Sequence, residues 1–189
     1  MPLVNGRYGA KNREWLLAGM PAAGYRDNMS RLQAGSDLAA LTTQVMTAVA
    51  LPLQAGDVVA SLTFKSGATA AVTPTNWWFA LYDDSATPAL LAQSADQLTA
   101  AWAATTAKTL ALATPQLISR PGVYYAAVMV KAATVPTLIG ATTQAGASAG
   151  VLTADKVLAQ TSGAGLTTTA PATIATPTAV GTMPLVVAT

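Results

Sequence analysis

The segment Asn76-Trp77-Trp78-Phe79-Ala80-Leu81-Tyr82 is apolar at every position after the first. As a strand it places Trp77, Phe79 and Leu81 on one face and Trp78, Ala80 and Tyr82 on the other. Residues 122–131 repeat the pattern, with Val123, Tyr125, Ala127 and Met129 opposite Tyr124, Ala126, Val128 and Val130. An antiparallel strand ordinarily shows one polar face to water. Two strands that are apolar on both faces need a core on one side and a cover on the other. A loop, an N-terminal arm or another copy of the chain can supply it. Asp, Glu, Lys and Arg make up only 10% of the residues, against about a quarter in an ordinary soluble domain. That low charge favours a second copy as the cover.

The flanking sequence extends the β reading. Residues 42–51 and 58–64 alternate Thr and Val with larger apolar groups, and 89–93 and 108–112 are shorter strand candidates. Pro52 with Gly56-Asp57, Ser66-Gly67, Pro74, Asp83-Asp84, Pro88, Pro115 and Pro121-Gly122 mark turns between them. Residues 94–106 read as a short helix or a loop over a sheet edge. Short strands at regular spacing indicate an all-β sandwich or barrel. Beyond residue 140 the chain is rich in Thr, Ala and Gly. There, 142–150 and 163–177 read as loops, 151–158 has modest strand or helix character, and 183–187 reads as a closing strand.

Ala contributes 42 residues and Thr 27, together more than a third of the 189. Alanine buries little area, so a minority of large side chains between about 41 and 140 must build the core. The Ala/Thr background suits a flat, weakly charged surface of the kind that faces another protein. The length fits one domain with an appendage.

Residues 1–40 differ from the rest. They hold Arg7, Lys11, Arg13, Arg26 and Arg31 against Glu14, Asp27 and Asp37, so the whole net charge of +2 sits there. Asn12 is placed to cap a short helix through Trp15, Leu16 and Leu17 that ends at Gly19. We expect an extended N-terminal arm over 1–40 and the β-sandwich over 41–189. The arm reads either as a partly disordered terminus or as a segment that orders on a neighbouring subunit. In the second case Tyr8, Trp15, Leu16, Leu17 and Tyr25 are its anchors, because aromatic groups dominate binding energy at interfaces. Its basic charge suits an acidic protein surface and is thin for nucleic acid. The apolar run at 15–18 is too short for a secretory signal, and no stretch approaches the length of a membrane span. We therefore expect a cytoplasmically made chain with no membrane or nucleic-acid partner.

The chemistry available is sparse. The chain has no His and no Cys. Ser-His-Asp and Cys-His catalysis, Cys/His zinc sites and disulfides are excluded. Asp83-Asp84 reads as a turn rather than a calcium site, since calcium needs six or more oxygens from a spaced loop. No spacing singles out a glycosidase carboxylate pair; Asp83, Asp84 and Asp96 are the only clustered acids on which a hydrolase reading could rest. Gly163-Ala164-Gly165 lacks the Lys and the preceding strand of a phosphate loop. Trp77 reads as core, while Trp78 and Trp102 are candidate ligand-facing aromatics for stacking on sugar rings. The expectation is a non-enzyme with no cofactor and no metal.

Several phrases resemble a known group. They are Pro52-Leu53-Gln54-Ala55-Gly56-Asp57, Ser61-Leu62-Thr63-Phe64, Asn76 through Asp83, Leu91 through Asp96 with Ala101-Trp102, and Gly122-Val123-Tyr124-Tyr125. Together they are similar to virion-surface proteins of actinobacterial phages, such as capsid decoration proteins and head or tail fibres. The resemblance covers about residues 40–140 and brings no catalytic residues. It implies a jelly-roll-like antiparallel sandwich and a virion location. It further implies a structural protein, most simply a capsid decoration protein that binds the major capsid protein or another virion protein as a homo-oligomer, with a trimer favoured. The alternative it leaves open is a tail or fibre module that binds host-surface glycans.

Overall fold

A computed structural model describes residues 25–189. It is an all-β sandwich in which every strand pairing is antiparallel. The strands are β1 (Arg26–Asp27), β2 (Ser36–Asp37), β3 (Met46–Leu53), β4 (Val58–Lys65), β5 (Asn76–Tyr82), β6 (Leu90–Gln93) and β7 (Ala107–Leu117). They continue with β8 (Gly122–Lys131), β9 (Ile139–Thr142), β10 (Ala159–Ser162), β11 (Thr178–Ala179), β12 (Thr182–Pro184) and β13 (Val186–Ala188), with one short helix among the described residues, α1 (Ala145–Ala149). One sheet runs β11-β10-β3-β8-β5-β6, a second β1-β13-β4-β7, and a small third β12-β9-β2.

The core lies between the six-stranded and four-stranded sheets. The first contributes Val49, Leu51, Trp77, Phe79, Leu81, Tyr124, Ala126 and Val128; the second contributes Val59, Leu62, Phe64, Leu112 and Val186. The alternation expected of a half-buried strand is plain in β4, where Leu62 and Phe64 are sealed and Lys65 is exposed. Aromatic rings form its centre. Phe64 and Phe79 lie 4.8 Å apart between centroids, and Trp77 and Trp102 stack at 5.0 Å. Such ring pairs contribute roughly 0.5–1.5 kcal/mol beyond the area they bury.

The strand segments near 58–64, 76–82 and 122–131 match expectation closely. Three places differ. Residues 25–40, grouped with the arm by their charge, are built into the sheets: β1 pairs with β13 and β2 with β9. Long-range partners decide this. Arg26 makes a two-pronged ion pair with Asp57, and Asn28 bonds Pro184 and Val186 through both ends of its amide. The sandwich therefore begins before residue 41. The helix falls at Ala145–Ala149, inside a segment read as loop, while 151–158 forms turns held by Asp155. The closing segment is two short strands that join different sheets, β12 to β9 and β13 to β4.

Candidate functional site

The outer face of the six-stranded sheet is as apolar as the inner one. Met46, Ala48, Trp78, Ala80, Tyr82, Tyr125, Ala127 and Met129 form a second cluster there. Its cover is the chain's own loop, residues 163–177. Ala170 and Ile174 are buried against the sheet, and Leu166 packs beside them. This overturns the need for a second copy over those strands: the intramolecular loop does the covering. The sheet also holds the loop's backbone. Trp78 Nε1 donates to Thr167 O at 2.8 Å and Tyr82 Oη to Pro171 O at 2.9 Å. Gln93 donates to Thr168 O and accepts from Ala170 N. Burial pushes the Tyr82 hydroxyl well above the usual phenol range, so it stays a neutral donor, and burial raises the Tyr125 hydroxyl too.

Neither candidate ligand-facing tryptophan faces solvent. Trp78 is 0% exposed beneath the loop, and Trp102 is 0% exposed in the main core. Residues 94–106 form no helix; they fold inward over the sandwich edge and carry Trp102 onto Trp77. Its indole donates to Thr106 O at 3.0 Å, and Trp77 donates to Ala100 O at 2.9 Å. With both rings sealed, a glycan platform built on them is excluded in this structure.

The acids that looked clustered serve the fold separately. Asp83 Oδ1 accepts from Ser85 N, Ser85 Oγ and Ala89 N, an Asx-type turn. Burial raises its pKa, but those bonds and the nearby Arg120 outweigh that, so the carboxyl sits below its ordinary value. Asp84 is paired with Arg120 at 2.7 Å, and Lys156 donates to the Asp84 and Ser85 carbonyls. Asp96 accepts from Asn76 and from the Trp77 and Leu98 amides. Among the described residues no group of three acids could hold a metal ion. Every buried side-chain N or O among them has a hydrogen-bond partner.

Of the arm anchors, Tyr8, Trp15, Leu16 and Leu17 lie outside the described residues. Tyr25 is half-buried at the start of the sandwich, and its carbonyl accepts from Arg26. A groove of about 260 Å³ nearby is lined by Asn28, Met29, Gln33, Leu158 and Met183. Asn28 already serves the backbone of Pro184 and Val186 there, and Gln33 Oε1 accepts from Ser30 N.

The open surface is on the other sheet. Ala60, Lys65, Ala107, Thr109, Ala111 and Ala113 are exposed along β4 and β7. Thr63 and Thr109, directly opposite one another, share a hydroxyl hydrogen bond of 2.8 Å. At one end the paired Val58 and Leu117 are 55% and 71% exposed. Small side chains make this face flat, and its charges are Lys65 and, by register through Val187 opposite Thr63, Asp27.

Sequence reasoning missed Gln44 and Gln93, which hold the loop, because a single glutamine in a Thr/Ala-rich background carries no local signal. A scan against models of protein families matched none, and a search of curated proteins returned no significant relative.

Proposed function

We propose that this chain is a non-enzymatic virion structural protein, a capsid decoration protein that bridges subunits of an assembled shell. The virion assignment rests on the strand and turn phrases quoted above. The observation that carries the structural role is the contrast between spent chemistry and open surface. The clustered acids are tied into turns and ion pairs, while β4 and β7 present a flat, small-residue, weakly charged face. A face of that kind suits a broad protein contact, which gains from close approach rather than from a few strong polar groups.

In this reading the residues of the 1–24 segment, Trp15, Leu16 and Leu17 foremost, bind the major capsid protein or a neighbouring copy. Three copies associate through the open face. Binding preferred for the assembled shell stabilises it by mass action.

The test is decoration of purified shells by the full chain and by a chain lacking residues 1–24. The deletion stops there because Arg26 and Asn28 belong to the sheets. The truncated protein should stay folded and fail to attach, and light scattering on the full chain should return three times 19.1 kDa. Full occupancy by the truncated chain would remove the arm from the reading. A monomer that decorates no shell would remove the reading itself.

A further inference from the structure

An open groove lies where the three sheets meet. Its apolar walls are Met29 just past β1, Ala50 of β3, Ala141 of β9, Leu158 just before β10 and Met183 of β12. At about 260 Å³ it is larger than the roughly 150 Å³ cavity that takes up benzene. None of its lining residues is charged. Asn28, which also lines it, spends both ends of its amide on Pro184 and Val186. The groove therefore offers apolar contact and little polar chemistry. Its surroundings are apolar too: Leu158 is 43% exposed, and Leu32, three positions past Met29, is 79% exposed. Large apolar side chains left open beside a groove mark a place where another apolar group sits.

The described residues begin at Tyr25, three positions before Asn28. The segment before it carries Trp15-Leu16-Leu17, the bulkiest apolar run among residues 1–24, and that run is uncharged like the groove. Leu17 stands eight positions before Tyr25, a span that reaches about 26 Å when extended. The strand between Tyr25 and the groove, β1, is two residues long, so the reach exceeds what is needed. Gly19 and Gly24 lie within the span, where glycine lets a chain reverse without steric cost. The tether also sets the concentration. A group on so short a link meets its own groove at an effective concentration of about millimolar, above that of a second copy in dilute solution.

We infer that the groove at the junction of the three sheets is the docking site of the chain's own Trp15-Leu16-Leu17 in the isolated protein, with the Trp15 ring filling it. The inference rests on the described fold and on the length of the tether. It stands apart from the virion reading, which concerns the assembled shell.

The experiment uses the full chain and iodide quenching of tryptophan emission. The chain has four tryptophans, and Trp77, Trp78 and Trp102 are 1%, 0% and 0% exposed. Iodide-accessible emission can therefore come from Trp15 alone. The full chain should show no more of it than Trp15→Phe does, and Leu158→Asp should raise it to about a quarter of the total, the share of one tryptophan in four. An accessible quarter in the unmodified chain overturns the inference, and so does a folded Leu158→Asp chain in which Trp15 stays protected. Cross-linking decides the case of a Leu158→Asp chain that fails to fold. The chain has no cysteine, so a short bismaleimide joins only introduced thiols. Leu17→Cys with Leu158→Cys should be joined within one chain, at least about tenfold faster than Leu17→Cys with Leu117→Cys, because docking raises the local concentration at the groove alone. Leu117 is 71% exposed at the end of β7 and serves as the competing apolar site. Equal rates at the two positions, or links only between chains, overturn the inference.

Discussion

The two main sheets solve one problem in opposite ways. The six-stranded sheet is apolar on both faces and is sealed on both, by the opposing sheet within and by the 163–177 loop without. The four-stranded sheet is apolar on one face only and leaves its other face open, lined by Ala and Thr with Lys65. Covering an apolar face needs a partner, and a chain that carries the partner within itself does not need a second copy there. The proposed association uses the sheet whose outer face is left uncovered, although that face is the less greasy of the two. Apolarity of a strand read in isolation thus does not tell an open face from one that the chain covers itself.

The sharpest way to break this comparison is to truncate a ring beneath the loop. Trp78→Ala should cost about 3–5 kcal/mol in chemical denaturation, the range for a large buried aromatic. A cost below about 1 kcal/mol would show that the loop does not seal the outer cluster. Next in size is the loop's polar hold. Gln93→Ala removes the group that serves both Thr168 O and Ala170 N, and should cost about 1–3 kcal/mol in the same assay because Ala170 N is left without its partner. An effect on stability no larger than that of an exposed substitution would place the loop's stability in its side chains alone.

Acid titration sharpens the contrast between turn and sheet. Asp83 has a folded pKa below its unfolded value, and so does Asp155, held by the Leu152 and Val151 amides. A carboxyl lowered by folding contributes stability above its unfolded pKa, near 4, and loses it as pH falls through the folded value. Stability should therefore drop as the solution is taken below about pH 4. The Asp83→Asn, Asp155→Asn chain should show a flatter curve in that window and little change in slope above pH 6. The smallest expected effect is on the open face. Thr109→Ser and Ala111→Ser should leave stability within about 0.5 kcal/mol. Ala111→Arg should do the same yet abolish association of copies, measured by light scattering. If Ala111→Arg leaves association intact, the open face is not the contact.

Much of the sandwich was legible because its signals are local. The alternation in 58–64, 76–82 and 122–131 is written in side chains two apart, and the turn residues between them act over four positions at most. The same locality explains the failures. Trp102 sits in a stretch without periodicity, and only its stacking on Trp77 places it in the core. Arg26 and Asn28 look like part of a basic arm until Asp57, Pro184 and Val186 are brought beside them. Asp83, Asp84 and Asp96 are near in sequence, but each is drawn to a different partner, so proximity along the chain did not make a site.

By itself the sequence determined that this protein is built of antiparallel strands around an aromatic core. It determined too that histidine and cysteine chemistry is closed to it, and that two strands must be covered on both sides. Only the tertiary structure decided what the cover is. A Thr/Ala-rich loop has no pattern that announces its docking place, because it is held mainly by main-chain carbonyls that every residue carries alike, and the glutamine, tryptophan and tyrosine donors that meet them come from residues roughly 75 to 120 positions away.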